Sequence, residues 1–139
     1  MELTVAVTAN SIVTPQTPFS RQVATAVANT NFAAPTATST LLDRAENLNG
    51  ARITRLYAIP QVAVGTASNC QVYAYDGTNK VLIESALMPT SSAAANAVNP
   101  KTDFGYSDGA ALILRAGWGL EVAPGQAVAT VFRCEGGLY

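Results

Sequence analysis

Apolar and polar residues alternate with a period of two over most of this chain, and the spacing of an amphipathic helix is nearly absent. Residues 3–8, Leu3-Thr4-Val5-Ala6-Val7-Thr8, alternate cleanly, and residues 21–29 do so again through Val23, Thr25 and Val27. Between them, residues 11–19 carry Pro15 and Pro18 and read as an extended arm. Residues 31–40 are rich in Ala, Thr and Pro and are expected to cross a surface. The one stretch rich in helix formers, residues 41–48, is short and ends at the turn signal Asn49-Gly50. That turn opens the strongest strand, residues 51–59, stopped by Pro60, with residues 61–65 continuing it after a kink. Residues 69–75 and 80–87 flank Asp76-Gly77-Thr78-Asn79, the best hairpin signal in the chain, because Asp-Gly and Asn tolerate the positive φ of such turns. Residues 89–101 form a loop of about a dozen residues, longer than a structural connection needs, which gives it a contact role. Strands over 110–115, 120–123 and 126–135 complete the pattern, punctuated by Gly117-Trp118-Gly119 and Pro124-Gly125, and Gly136-Gly137-Leu138-Tyr139 reads as a tail.

Roughly eight or nine short strands with turns at this spacing predict an all-β fold: a single β-sandwich or jelly-roll-like domain over residues 1–139. Residues 1–35 would hold an extended N-terminal arm and the first strands. Several strands are apolar on both faces. Cys70, Val72 and Ala74 oppose Tyr73 and Tyr75, and Val128 and Phe132 oppose Ala129 and Val131. A sheet with one face in water should not look like this, so either the fold or a neighbouring subunit covers the second face.

Composition sharpens the picture. Charged residues make up only 12% of the chain, about half the usual ~25%, and the net charge is −1. Interface cores are depleted in charge in this way, so much of the surface is expected to be covered by copies of the chain or by a partner. The balance of 8 basic and 9 acidic residues is not the footprint of a nucleic-acid binder. No apolar run is long enough for a membrane span, and the N-terminal residues lack the pattern of a signal peptide. The absence of histidine removes His-based triads, HExxH zinc sites and imidazole switches. Cys70 and Cys134 lie inside strands with no CxxC, so buried free thiols are expected, and a disulfide only if their strands are neighbours. A reducing cytoplasm fits this usage.

Candidate chemistry is thin. Gly105-Tyr106-Ser107-Asp108-Gly109 matches the G-x-S-x-G nucleophile elbow, but a loop precedes it, a strand follows, and no histidine exists to take the proton. Asp103-Phe104-Gly105 spells the kinase magnesium tripeptide without its partners. Glu84, Glu121, Asp103 and Asp108 could act as acids or bases, yet nothing in the sequence places two of them at one cleft. Asp76 and Asn79 lack the run of oxygens of a calcium loop and belong to a turn. No catalytic residue, cofactor or metal ligand is assigned, and the chain is read as a non-enzyme. The candidate interface residues are Arg52, Arg55, Tyr73, Tyr75 and Trp118. Arginine and the aromatics are the side chains that anchor interfaces. Arg52 and Arg55, three positions apart in one strand, are expected on opposite faces. Trp118, with Tyr106 and Phe104 upstream, is either a sugar-stacking platform or core packing.

Residues 49–60, Asn49-Gly50-Ala51-Arg52-Ile53-Thr54-Arg55-Leu56-Tyr57-Ala58-Ile59-Pro60, resemble the core of a family of small β-rich structural proteins of tailed bacteriophages and prophages. The resemblance extends to Leu82-Ile83-Glu84-Ser85-Ala86-Leu87-Met88, Asp103-Phe104-Gly105-Tyr106-Ser107, residues 112–117 and Phe132-Arg133-Cys134-Glu135-Gly136-Gly137, spread over about two thirds of the chain. It implies a virion structural protein with a β-sandwich fold, and first of all a capsid decoration, or cement, protein seated on the shell as a trimer. The implied partners are other copies of the chain and the major capsid protein, and the implied location is the virion, assembled in the host cytoplasm. A tail, neck or fibre-attachment protein and a carbohydrate-binding host-attachment module are the alternatives. The arm, residues 1–19, is suited to adding a strand to a neighbour's sheet edge.

Overall fold

A computed structural model describes residues 15–139. The expected strand at residues 3–8 and the start of the arm lie outside the described residues. Nine strands follow in order: β1 (Thr17–Thr25), β2 (Ser39–Leu42), β3 (Ala51–Pro60), β4 (Ser68–Tyr75), β5 (Lys80–Met88), β6 (Thr102–Asp103), β7 (Leu112–Leu114), β8 (Gly119–Pro124) and β9 (Thr130–Leu138). All pairings are antiparallel, and there is no helix among the described residues. One sheet runs β1-β9-β3-β6, with β7 also on β3; the other runs β2-β8-β4-β5. The two pack as a sandwich. Phe19, Ile53, Leu56, Phe132 and Cys134 from one sheet and Leu42, Cys70, Val72, Leu120 and Val122 from the other fill the space between them.

The hairpin turn forms as the sequence indicates, but only Gly77 takes a positive φ, at 105°. Asp76 organises the rest: its Oδ1 accepts the backbone N–H groups of Thr78 and Asn79 at 2.8 and 2.7 Å. Those two bonds, with a smaller contribution from the Arg44 charge, hold its carboxyl below the usual range.

Elsewhere the strands differ from their local signals. β1 begins at Thr17 and runs through Pro18, which an edge strand tolerates because its outward N–H is not needed. Residues 61–65 do not extend β3 as a strand: Gln61 donates one backbone bond to the Ala129 carbonyl at 2.8 Å, and Val64 forms an isolated bridge with Ser91. The glycine-rich C-terminal stretch is not a tail. It completes β9, which sits between β1 and β3 and pairs with both along its length. Gly136 is required there, because a Cβ at that position would collide with the Arg52 carbonyl across the strand pair.

The second face of the four-stranded sheet is covered by the chain itself. The segment between β1 and β2 crosses it, and Asn29 is the anchor. Its backbone N–H donates to the Pro124 carbonyl at 2.9 Å, and its Nδ2 donates to Gln71 Oε1 and to the Tyr73 hydroxyl, each at 2.9 Å. Gln71 Nε2 returns a bond to the Asn29 carbonyl at 2.9 Å, and the Tyr73 hydroxyl donates to Gln71 Oε1 at 2.7 Å. Asn29, Gln71 and Tyr73 are thereby buried with their polar atoms paired. Further along the same face, Lys80 lies 3.3 Å from the buried Glu121, and Thr38 hydrogen-bonds to both.

Cys70 and Cys134 are buried free thiols on different sheets, β4 and β9, so their strands are not paired neighbours. Desolvation pushes each thiol up to about 12.

Candidate functional site

The outer face of the five-stranded sheet is the sheet surface that the described residues leave open, and a β-bulge sets its chemistry. β3 and β9 pair regularly from Ala51 to Ile53, then the register slips so that Arg55, not Thr54, faces Glu135. One extra residue in β3 moves every later side chain to the opposite face. Ala51 and Ile53 point into the core before the bulge, and Leu56 and Ala58 do so after it. Arg52 and Arg55 therefore lie on the same outer face. Simple alternation puts them on opposite faces, and the structure corrects that expectation. No residue in 51–60 signals the bulge by itself; it exists only in the pairing with β9, where Gly136 lets the Arg52 carbonyl approach.

Four of the eight basic residues gather here. Arg52 donates to the Asp108 carbonyl and lies 3.7 Å from its carboxylate. Arg55 lies 3.4 Å and Arg133 3.1 Å from Glu135, so one carboxylate is shared by two guanidinium groups. Arg133 also donates to Gln22 Oε1 at 2.9 Å. Tyr57 has the cations of Arg55 and Lys101 at 5.3 and 5.1 Å from its ring centre. Beside these charges lies an open hollow of about 620 Å³ between Pro18, Ser20, Arg52, Thr54, Asp108 and Glu135. Its floor is the Gly136-Gly137 backbone, which brings no side chains to fill it.

The other candidates lie elsewhere. Tyr73 is fully buried on the opposite side of the sandwich, in the Asn29–Gln71 network. Tyr75 is half-buried; its hydroxyl donates to the Gly77 carbonyl at 3.0 Å, and its ring carries Arg44 and Lys80 at 5.7 and 5.3 Å. Trp118 is half-buried against the core, and its carbonyl accepts from the buried Asn47 at 2.9 Å. Of the five interface candidates, the fold brings Arg52 and Arg55 together on the open face, while Tyr73 and Tyr75 share the opposite outer face of β4.

The carboxylates are dispersed. Glu84 bonds the Ser85 N–H on β5, and Glu121 is paired to Lys80 on the covered face. Asp103 Oδ1 accepts the Gly105 N–H at 2.7 Å in a turn, and Asp108 faces Arg52. Ser107 of the G-x-S-x-G match bridges through its backbone to Ala110 and stands in a tight turn. Among the described residues no three His, Cys, Asp or Glu side chains gather as metal ligands. Tyr57, Arg133 and Lys101 were not singled out by local sequence signals. Periodicity from Cys134 outward places Arg133 and Glu135 on one face, but their pairing with Arg55 depends on the bulge.

On this face arginines, a tyrosine and carboxylates lie side by side, and arginine and tyrosine are side-chain types that anchor interfaces. Compared with known proteins, the chain matches no family model, no curated protein and no solved structure.

Proposed function

We propose that the chain is a non-enzymatic structural protein of a tailed-phage virion, a capsid decoration protein that binds the outer shell as an oligomer and stabilises the head. The observation that carries this reading is the asymmetry of the sandwich. One sheet is closed by the chain's own crossing segment, while the other presents Arg52, Arg55, Tyr57, Arg133 and Glu135 on an open face. Arginine and tyrosine are the residues that anchor protein interfaces, and a shared carboxylate can be re-paired with little loss because surface ion pairs are weak. The runs that carry the phage-family resemblance, residues 49–60 and 132–137, contribute the adjacent central strands β3 and β9 of this face.

A protein that binds only the assembled, expanded shell stabilises that state by mass action. Closed symmetry, threefold in this reading, would let identical faces meet the shell at equivalent junctions. The test is co-sedimentation of the purified chain with mature heads, followed by counting bound copies per particle. Saturation at hundreds of copies supports decoration of the shell. A few or tens of copies moves the assignment to a tail or neck part, and no binding to heads or tails removes the virion role.

A further inference from the structure

The charges on the open face do not balance. Around Tyr57 stand three cations, Arg55, Arg133 and Lys101, and two carboxylates, Glu135 and Asp103. The patch is therefore net positive in a chain whose net charge is −1. Both oxygens of Glu135 are engaged: Oε1 accepts from Arg133 Nε at 3.1 Å, and Oε2 accepts from Arg55 Nη1 at 3.4 Å. Asp103, the register partner of Tyr57, turns Oδ1 to the Gly105 N–H and pairs with no cation among the described residues.

The cations keep donors to spare. Arg55, whose side chain is 51% exposed, engages only Nη1. Its Nε and Nη2, the edge that grips a carboxylate with two parallel bonds, meet no acceptor among the described residues. Arg133 commits Nε to Glu135 and Nη1 to Gln22 and leaves Nη2. Lys101 is exposed, enters no ion pair among the described residues, and stands 5.1 Å from the centre of the Tyr57 ring. A guanidinium and an ammonium held against one tyrosine ring are positioned before any partner arrives, which lowers the ordering cost of binding.

We propose that the patch around Tyr57 is the docking point for an acidic segment of a partner protein, one that carries carboxylates at alternate positions of an extended chain. Alternation puts successive carboxylates on one side, about 7 Å apart. The cations of Arg55 and Lys101, 5.3 and 5.1 Å from one ring centre, are within reach of two such neighbours. A phosphate backbone needs a longer row of cations than this patch offers. The open face of a second copy brings the same surplus of positive charge and is repelled. The inference rests on reading the open face as the docking surface, and it adds the sign and spacing of the partner's charges.

The experiment uses the purified chain with poly-L-glutamate as the probe, read by fluorescence anisotropy of the labelled polymer and by amide chemical shifts. Binding is expected, with shifts centred on Arg55, Tyr57, Lys101 and Arg133, and it should weaken as salt rises. Arg55→Gln and Lys101→Gln are each expected to weaken it about two- to fivefold, the range of one surface ion pair. Arg115→Gln makes the same charge change beyond β7, at the other end of β3, and should leave binding near wild type. Glu135→Gln releases both guanidinium groups and should tighten binding by a similar factor, whereas Glu84→Gln on the other sheet should not. The proposal is overturned by no binding, by equal weakening in Arg115→Gln, or by Glu135→Gln that fails to tighten. Tighter binding of oligothymidylate than of polyglutamate, or self-association that Lys101→Gln abolishes, overturns it as well. Binding to heads fails separately: heads that retain wild type and Lys101→Gln equally remove the acidic partner and keep the virion role, and polymer binding without head binding does the reverse.

Discussion

The two outer faces of this sandwich are built from the same kind of alternating strand, yet one is dry and the other wet. On the four-stranded sheet, Gln71, Tyr73 and Glu121 point outward and are nevertheless buried beneath or beside residues 26–38. Their polar atoms had to find partners inside the fold, and they did so through Asn29, Thr38 and Lys80. On the five-stranded sheet, Arg52, Arg55 and Arg133 keep their charges at the surface, where ion pairs can be exchanged for contacts with a partner. Low charge in this chain thus has two sources. Part of the uncharged surface is closed intramolecularly, and the remainder stays exposed on the open sheet.

The largest expected difference between the faces comes from their tyrosines. Tyr73→Ala removes a fully buried ring and is expected to cost about 3–5 kcal/mol in chemical denaturation. Tyr57→Ala, on the open face, is expected to cost under about 1 kcal/mol. Equal costs would mean that the open face is also covered, and the contrast would fall.

Next in size is Asn29→Ala. It strands Gln71 and Tyr73 without their shared donor, a loss of about 1–3 kcal/mol. Proteolysis within residues 26–38 should accelerate along with it if Asn29 is the anchor of the crossing segment.

Smaller still in stability is the Arg52→Glu, Arg55→Glu pair, expected within about 1 kcal/mol of the parent because both side chains are paired only at the surface. Its consequence is expected in binding: retention on heads should be lost while the unfolding midpoint barely moves. Unchanged retention would separate this face from the shell contact.

The last contrast concerns the core between the faces and shows only at alkaline pH. With both thiols near 12, about one in ten thousand is ionised at pH 8, so neither Cys70 nor Cys134 should react with a thiol reagent until the chain unfolds. Both are raised from an ordinary 9.0, so the stability they contribute is complete below pH 9.0. It should decline as pH rises from there toward about 12. A Cys70→Ala, Cys134→Ala chain should lose part of that alkaline slope.

Features resolved within a few residues were legible in the sequence. The Asp76–Asn79 turn is a local competition that Asp76 and Gly77 decide, and the hairpin it closes falls where the flanking alternation ends. The β strands themselves, the all-β class and the buried state of both cysteines follow from periodicity and composition. Features set by a distant partner were not legible. Gly136 and Gly137 carry turn-like local preferences, yet they lie in a central strand, where Gly136 gives the Arg52 carbonyl of β3 room and Gly137 gives Pro15 room. β6 has two residues and exists only because Tyr57 and Ala58 offer it an edge. Of the candidate interface residues, Tyr73 looked like a surface aromatic because nothing nearby announces that Asn29, 44 positions away, will cover it.

The sequence by itself determined that this chain is a charge-poor, histidine-free β-sandwich, because strand period, turn chemistry and composition are properties of neighbouring residues. The tertiary structure decided which face is closed and which is open. It also decided that Arg52 and Arg55 stand together, because a single bulged residue inverts every side chain after it, and that inversion exists only once β3 is paired to β9.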